Sequence, residues 1–252
     1  RNLRFKIHPR FKKHLHKKKI KKVNRFSKYL ILVFEDESGL IVHLGMSGTI
    51  HLHESNKKNT FTNTSFYNSP ILPKKHNHIE IQFDKINFIY NDPRRFGYFL
   101  TFNNIAELKK RFFNFGPEPF SSLFSIQYVS NYFKKKEKNI KNFLLDQNFV
   151  SGIGNIYTSE ILFLSKINPN KKAKLINNIE RRKIIFFSKK VLFDAIKKGG
   201  SSIRDFKNIS GIKGEFQKKF NVYQREGLKC KRTKCKGTIL KKNISKRSTF
   251  FC

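Results

Sequence analysis

The chain of 252 residues carries 54 lysine and arginine residues against 17 aspartate and glutamate residues, which gives a formal net charge of +37 and a pI of about 10.3. A positive field of this size attracts polyanions, most commonly nucleic acid, although a compositional bias toward Lys, Asn, Ile and Phe would also raise the charge. Hydrophobic residues make up 38% of the chain, which excludes a disordered tail. Because the sequence has neither an apolar run of about 18 residues nor a signal segment, we expect a cytosolic protein.

The N-terminal stretch, residues 1–22, is basic and has little periodicity, which predicts a solvated surface or part of a helix. His14 and His16 lie there without a nearby acidic or cysteine residue, so they are weak candidates for metal ligands. The sequence begins with an arginine and stops inside a cysteine pattern, and we therefore expect it to be incomplete at both ends.

Apolar and alternating stretches in the first part of the chain predict antiparallel strands. These strands are expected over residues 28–34, 40–44, 76–83, 86–90 and 98–102. Residues 54–75 are polar and contain Ser, Asn, Thr and Pro, which is typical of a long surface loop. The sequence therefore predicts a β-rich domain over residues 1–102.

Two short segments between these strands contain residues suited to contacts with DNA. Met46, the only methionine, lies in a turn between two glycines, where it is either a core residue or an apolar wedge for a base stack. Residues 92–97 have the sequence Asp-Pro-Arg-Arg-Phe-Gly, which predicts a turn with Arg94 and Phe96 at its tip. Such a turn either packs on the protein or offers an arginine that donates to a base or phosphate and a ring that stacks.

From residue 103 the hydrophobic pattern becomes helical. We predict helices over residues 105–112, 120–132, 136–145 and 176–198. Within residues 141–160, an apolar segment is followed by a turn containing Gly152 and Gly154, and Asn155 is the expected N-cap of the next helix. The start of that helix offers backbone N–H groups to an anion, and phosphate is the anion expected in so basic a chain. Residues 103–222 would form this helical domain.

Residues 223–252 contain all three cysteines of the chain, Cys230, Cys235 and Cys252. Two close cysteines, a basic insert of hairpin length and a third cysteine are typical of a zinc ribbon with one structural Zn²⁺. The fourth ligand would be expected about three residues past Cys252. Three unrelated buried thiols are the alternative. Arg247 lies on the predicted second strand of the hairpin, where it would reach a phosphate.

Motifs along nearly the whole chain resemble, in their order, those of formamidopyrimidine-DNA glycosylase, the bacterial enzyme family that excises oxidised guanine. They are His43-Leu-Gly-Met-Ser-Gly48, Asp92-Pro-Arg-Arg-Phe-Gly97, Gly116-Pro-Glu-Pro119, residues 145–160, residues 199–206, Tyr223-x-Arg-Glu-Gly227 and Arg247-Ser-Thr-Phe250. The related endonuclease VIII branch shares the helical turn and the zinc hairpin but not the methionine loop or the Asp-Pro-Arg-Arg-Phe-Gly segment. The resemblance therefore favours the purine-repair branch.

The resemblance implies an α+β protein with an N-terminal antiparallel β-sandwich, a helix-two-turn-helix domain and a C-terminal zinc β-hairpin. The implied partner is double-stranded DNA containing oxidised guanine, bound by a monomer. The implied reaction removes 8-oxoguanine or a formamidopyrimidine and then cleaves the strand by AP-lyase chemistry.

The matching motifs also imply roles for individual residues. Met46, Arg94 and Phe96 would fill the space left by the flipped nucleotide. Lys28 would be a catalytic lysine near the phosphate and the sugar. The remaining contacts would come from Asn155 and Arg247 on the flanking phosphates and from Arg204 in the loop over the extruded base.

The sequence departs from the family pattern in two respects. The family nucleophile is an N-terminal proline followed by a glutamate that acts as the acid, and this sequence has neither. The gap of four residues between Cys230 and Cys235 is longer than the family's usual two. Two other interpretations are therefore open, namely a DNA-binding remnant without activity and an RNA-binding zinc-ribbon protein.

Overall fold

A computed structural model describes residues 3–54, 73–201 and 214–252. The chain divides into two compact units, Arg1–Phe113 with Gly199–Glu215 and Asn114–Lys198 with Phe216–Cys252. Most of the predicted surface loop over residues 54–75 lies outside the described residues. Within the described ranges, no helix is both long and apolar enough to cross a membrane.

Antiparallel strands form two sheets in the first unit. The strands are β1 (Ile20–Phe26), β2 (Tyr29–Phe34), β3 (Gly39–His43), β4 (Thr49–Glu54), β5 (Asn77–Gln82), β6 (Ile86–Asn91) and β7 (Tyr98–Phe102). One sheet has the order β1-β2-β3-β7 and the other the order β4-β6-β5. Leu40 and Val42 of the first sheet are buried in one core with Phe88 and Tyr90 of the second. The predicted sandwich of antiparallel sheets is thus confirmed.

The prediction for residues 1–22 is only partly right. A short helix, α1 (Phe11–Leu15), is present, but β1 begins at Ile20 and pairs with β2. Most side chains of β1 are exposed, and two of them are lysines. Charged, exposed residues are typical of an edge strand, where they discourage pairing with another chain. An edge strand of this kind has no regular apolar alternation, which explains why the strand was not predicted.

The helix α2 (Ile105–Phe112) covers the outer face of the four-stranded sheet. Its apolar residues pack against a second buried cluster that includes Ile31, Ile41 and Phe102. Since α2 packs on this sheet, the first compact unit continues to Phe113. The division into three domains at residues 102 and 222 remains a prediction.

The second unit contains four α-helices and a β-hairpin within its described residues. They are α3 (Ile126–Phe133), α4 (Ile140–Leu145), α5 (Asn155–Ser165), α6 (Asn178–Lys197), β8 (Leu240–Ile244) and β9 (Arg247–Phe251). The helix predicted from residue 120 begins six residues later, because the Ser125 hydroxyl accepts a hydrogen bond from Tyr128 N and caps α3. The predicted α+β class, with a helical region and a C-terminal hairpin, is confirmed.

Candidate DNA-binding and metal sites

Three loops of the first unit meet the four-stranded sheet at the same end. Tyr29 of β2 is paired with His43 of β3, and His43 is paired with Tyr98 of β7. The turn before β2, the loop after β3 and the loop before β7 therefore start side by side. Four of the predicted site residues lie in these loops, and we call them the loop-end group: Lys28, Met46, Arg94 and Phe96.

A buried carboxylate holds two of these loops together. Asp92 has no exposed surface. Its Oδ1 accepts hydrogen bonds from the Ser47 hydroxyl at 2.5 Å and from the backbone N–H of Arg94 at 3.2 Å. Its Oδ2 accepts from the backbone N–H of Gly97 and from the Tyr90 hydroxyl, each at 2.9 Å. Asp92 thus ties the loop after β3 to both ends of the loop before β7.

Glycines allow these two loops to approach closely. A Cβ atom on Gly97 would lie 1.7 Å from the Tyr90 hydroxyl oxygen, and one on Gly45 would lie 2.6 Å from the carbonyl carbon of Phe96. Gly45 also has a φ of +74°, which favours glycine. Burial, followed by the charge and the hydrogen bond of Asp92, raises the pKa of Tyr90. The hydroxyl therefore stays protonated as a donor.

The tips of the two loops carry exposed apolar side chains. Met46 is 60% exposed and Phe96 is 42% exposed, so neither is a core residue. The guanidinium carbon of Arg94 lies 4.8 Å from the centroid of the Phe96 ring. Arg95, between them, has a φ of +58°, a left-handed conformation that the anchored turn imposes on a non-glycine residue. The two anchored loops thus present the thioether of Met46, the ring of Phe96 and the guanidinium of Arg94.

Lys28 adds a further positive charge at this end of the sheet. It is exposed in the turn between β1 and β2. Burial lowers the pKa of His43, and the nearby charges of Lys28 and Arg4 lower it further. The His43 ring stacks on Tyr98 with centroids 5.0 Å apart and an angle of 9° between the planes. The lowered pKa favours the neutral form of the His43 ring beside these two positive charges.

In the second unit, Asn155 has a different role from the predicted one. Gly154 is the N-cap of α5, and no side chain caps this helix, so the prediction that Asn155 is the cap is wrong. Asn155 is instead the first helical residue, and its Nδ2 donates to the backbone carbonyl of Ser248 at 2.9 Å. Because the contact with β9 forms only in the folded chain, the local sequence pattern could not reveal it.

Arg247 and Asn155 are therefore close to each other. Arg247 is the exposed first residue of β9 and directly precedes Ser248, the residue that Asn155 contacts. The positive end of the α5 dipole lies at the same place, because α5 begins at Asn155. We call Asn155 and Arg247 the helix-hairpin group. Arg204, the remaining predicted DNA contact, lies outside the described residues.

Sequence reasoning missed Lys141, which fixes the hairpin to α4. This lysine has no exposed surface. Its Nζ donates to the carbonyls of Ile244 at 3.2 Å and Arg247 at 3.1 Å, and to the Thr249 hydroxyl. Burial, followed by the charge of Arg247, lowers the pKa of Lys141 to about 8. A lysine within the apolar stretch of a predicted helix is the sequence signal that could have identified it.

The turn of the hairpin has an unusual backbone conformation. Ser245 and Lys246 join β8 to β9 with φ values of +59° and +57°. Positive φ at both central residues is typical of a type I′ turn, in which glycine and asparagine are the preferred residues. The Ser245 hydroxyl donates to the side chain of Asn142 in α4. Contacts with α4 therefore hold a turn that its own residues do not favour.

The three cysteines converge at the other end of the hairpin. The Sγ atoms of Cys230, Cys235 and Cys252 all lie within 4.8 Å of one another, and those of Cys235 and Cys252 are 3.8 Å apart. Tetrahedral zinc with Zn–S bonds of about 2.3 Å requires sulfur atoms about 3.8 Å apart. A hydrogen bond from the Gly237 backbone lowers the pKa of Cys235, whereas burial raises the pKa of Cys252 to about 11. A Cβ on Gly237 would lie 2.9 Å from Cys252 Sγ. The donor set and its spacing fit zinc.

Comparisons with known proteins match both units of the chain. Residues 1–99 match the model of the formamidopyrimidine-DNA glycosylase N-terminal domain, and residues 115–207 match the model of the formamidopyrimidine-DNA glycosylase H2TH domain. The chain is 39% identical over 255 residues to formamidopyrimidine-DNA glycosylase of Rickettsia africae, an alignment that covers all of this chain and 86% of the relative. It is 38% identical over 237 residues to that of Roseobacter denitrificans, covering 93% and 82% of the two chains.

Solved structures are also similar to this chain. A structure of MutM in complex with DNA containing carbocyclic 8-oxo-G has a TM-score of 0.82 and 33% identity, and the match covers 96% of this chain and 84% of that one. The complex between Lactococcus lactis Fpg and DNA containing an abasic site has a TM-score of 0.80 and 32% identity, with the same two coverages.

Proposed function

Because the chain belongs to the formamidopyrimidine-DNA glycosylase family, a family of DNA glycosylases acting on oxidised purines, we propose that it functions in base-excision repair. The proposed substrate is double-stranded DNA that contains 8-oxoguanine or a formamidopyrimidine. The proposed reaction is release of the damaged base followed by AP-lyase cleavage of the strand. We also propose that it acts in the cytosol.

The loop-end group is the observation that carries this proposal. A base reaches a glycosylase active site only after it leaves the stack, which costs a few kcal/mol. Met46 and Phe96 are exposed on two loops that Asp92 holds in place. They would therefore enter the space vacated by the nucleotide without a large loss of conformational entropy. Arg94, beside the Phe96 ring, would donate hydrogen bonds to the unpaired base or to a phosphate.

Three further residues would hold the sugar-phosphate backbone. Lys28 would place its ammonium group near the phosphate and sugar of the damaged nucleotide. Asn155 and Arg247 lie together at the start of α5, where an amide, a guanidinium and the helix dipole favour a phosphate. Arg204 would lie over the extruded base. These contacts would fix the position of the strand while the base is read.

The residues named above would bind the DNA, extrude the damaged base and orient the strand. The resemblance gives the family's covalent chemistry to an N-terminal proline and a glutamate, and we propose no covalent step for the loop-end group or the helix-hairpin group. We also propose that Cys230, Cys235 and Cys252 hold one structural Zn²⁺, which would stabilise the hairpin that carries Arg247.

Binding measurements test the extrusion step. We expect tighter binding to a duplex with one 8-oxoguanine than to the same duplex with guanine, measured by fluorescence anisotropy. Met46→Ala and Phe96→Ala should each weaken binding to the damaged duplex by about tenfold, since stacking and wedge contacts contribute about 1–3 kcal/mol. Phe113→Ala is the matched control, because Phe113 is 83% exposed and lies outside the loops. Equal affinity for the two duplexes would contradict the proposal.

A covalent trapping assay tests the reaction. The protein expressed from its complete reading frame is incubated with the 8-oxoguanine duplex and borohydride, and we expect a covalent protein–DNA adduct. Lesion-specific binding without an adduct would support the DNA-binding remnant instead. If structured RNA competes for binding better than the damaged duplex does, the RNA-binding interpretation is favoured.

A further inference from the structure

Four residues separate the first two cysteines of the hairpin domain, and we call residues 231–234 the knuckle loop. Metal knuckles commonly have two to four residues between their cysteines, so this loop has the largest usual length. A longer loop has more conformations to lose when its two sulfur atoms are brought together. A contact outside the loop that fixes its shape would therefore lower the entropic cost of bringing the two sulfur atoms together.

Arg232 makes the contacts that define the path of the knuckle loop. Its backbone N–H donates to the Sγ of Cys230 at 3.5 Å. Its carbonyl accepts from the backbone N–H of Cys235 at 3.1 Å. Arg232 is thus hydrogen-bonded to both cysteines of the pair. Its position therefore influences where the two sulfur atoms lie.

The side chain of Arg232 is fixed on α5. Its guanidinium carbon lies 4.0 Å from the centroid of the Phe163 ring, and its Nη2 donates to the Phe163 carbonyl. Phe163 lies in the last turn of α5, where the helix dipole is negative and a guanidinium is favourable. The planar fork of arginine makes the hydrogen bond and the ring contact together. Arg232 therefore connects the knuckle loop to a rigid helix.

Lys231 provides a second, weaker attachment. Its Nζ donates to the carbonyl of Phe220 at 2.8 Å. The chain after Phe220 is itself fixed, because the buried carboxylate of Glu160 in α5 accepts the backbone N–H groups of Asn221 and Val222. Both attachments of the loop therefore lead back to α5.

We propose that Arg232 is the positioning residue of the metal site. It fixes the knuckle loop so that Cys230 and Cys235 face Cys252 before the metal binds. The inference rests on the proposed zinc site, and it adds a residue that neither ligates the metal nor belongs to the helix-hairpin group. Residues around metal ligands that orient them typically change metal affinity by about 10–100-fold when they are replaced.

The test measures zinc release. The zinc-loaded protein is mixed with an excess of a chromophoric chelator, and the rate of metal transfer is followed by absorbance. We expect Arg232→Met to release zinc about tenfold faster than wild type, and Arg232→Lys to give an intermediate rate, because lysine keeps the charge but not the planar fork. Lys234→Met is the matched control, since it removes one charge from an exposed residue of the same loop and should change the rate by less than about twofold.

A purely structural role for Arg232 as a cap of α5 predicts a different result. Arg232→Met would then lower the thermal unfolding temperature while the zinc-release rate and the absorption spectrum of the cobalt-substituted protein stayed those of wild type, and this result would refute the positioning role. Our proposal requires faster release together with an altered cobalt spectrum. A wild-type protein without stoichiometric chelatable zinc would refute the zinc site itself. A wild-type zinc site that is indifferent to Arg232 would refute only the positioning role.

Discussion

Asp92 illustrates how one buried side chain organises several exposed ones. All its acceptor positions face donors, namely the Ser47 and Tyr90 hydroxyls and the N–H groups of Arg94 and Gly97. A carboxylate accepts at both oxygens, whereas an amide would place an NH₂ group against one of these donors. The negative charge of Asp92 is therefore matched to its surroundings, and the exposed residues on the two loops depend on it.

We predict that Asp92→Asn lowers the free energy of unfolding by about 2–3 kcal/mol, because at least one buried donor loses its acceptor. Chemical denaturation measures this change. The control is Asp84→Asn, which removes the same charge from an exposed position and should be close to neutral. The affinity for the 8-oxoguanine duplex should also fall, because the loops that carry Met46 and Phe96 are no longer held in place. Equal stability of the two variants would mean that Asp92 does not hold the loops.

Lys141 makes a second residue-scale prediction, which concerns pH. Its folded pKa of about 8 is below the ordinary value of 10.5, so between these values the unfolded state binds more protons. The free energy of unfolding should therefore rise as the pH increases through this window. Between pH 8 and pH 10, the free energy of unfolding of wild type should increase by roughly 2 kcal/mol relative to that of Lys141→Met.

Urea denaturation at several pH values below 10 measures this gain, before ionisation of tyrosines in the unfolded state has the opposite effect. Lys138→Met is the control, because Lys138 is exposed and its replacement should leave the pH dependence of wild type unchanged. A pH dependence of Lys141→Met identical to that of wild type would contradict the assignment of the shift to Lys141.

At the scale of elements, α5 acts as a support for the hairpin. Asn155 at its first residue contacts β9, and Phe163 in its last turn receives Arg232 of the knuckle loop. The hairpin and the knuckle loop are therefore attached to opposite ends of one helix. The length of α5, 11 residues, corresponds to about 16 Å at 1.5 Å per residue. The helix thus sets the distance between the helix-hairpin group and the metal site.

We predict that Asn155→Ala weakens DNA binding more than it lowers stability. The variant loses the hydrogen bond to Ser248, which contributes about 1 kcal/mol, and also the amide proposed to contact a phosphate. Anisotropy and thermal unfolding, measured on the same variant, separate the two effects. Asn142→Ala is the comparison, because it removes a contact between α4 and the hairpin turn without changing the start of α5. If both variants weaken binding equally, the loss comes from the hairpin and not from the amide.

At the scale of the whole molecule, the net charge of +37 favours a polyanionic partner such as the proposed DNA. Each phosphate neutralised on binding releases counterions, so affinity falls as salt concentration rises. We predict a steep, linear decrease of log affinity with log salt for damaged and undamaged duplexes alike. Arg94→Gln and Arg247→Gln should each reduce the magnitude of the slope by about one if each contacts a phosphate.

The control is Arg182→Gln, because Arg182 is exposed on α6 and belongs to neither predicted group. A reduction in slope as large for this control as for the two site variants would indicate that the positive charge acts without defined contacts.

The sequence determined the strands and helices whose periodicity is strong, such as β7 and α2, because local burial patterns dictate them. It also identified Met46, Arg94 and Phe96 as candidates for DNA contacts, but it left open whether Met46 is a core residue and whether the turn with Arg94 and Phe96 packs on the protein. Such periodic patterns do not always predict burial. Ile179 and Ile196 belong to the helical apolar pattern of α6, and yet their side chains are 66% and 69% exposed. Only the tertiary structure decided what fixes the site. Asp92 contacts Ser47 across 45 positions and Lys141 contacts Thr249 across 108, and hydrogen bonds between residues so distant in sequence leave no local pattern.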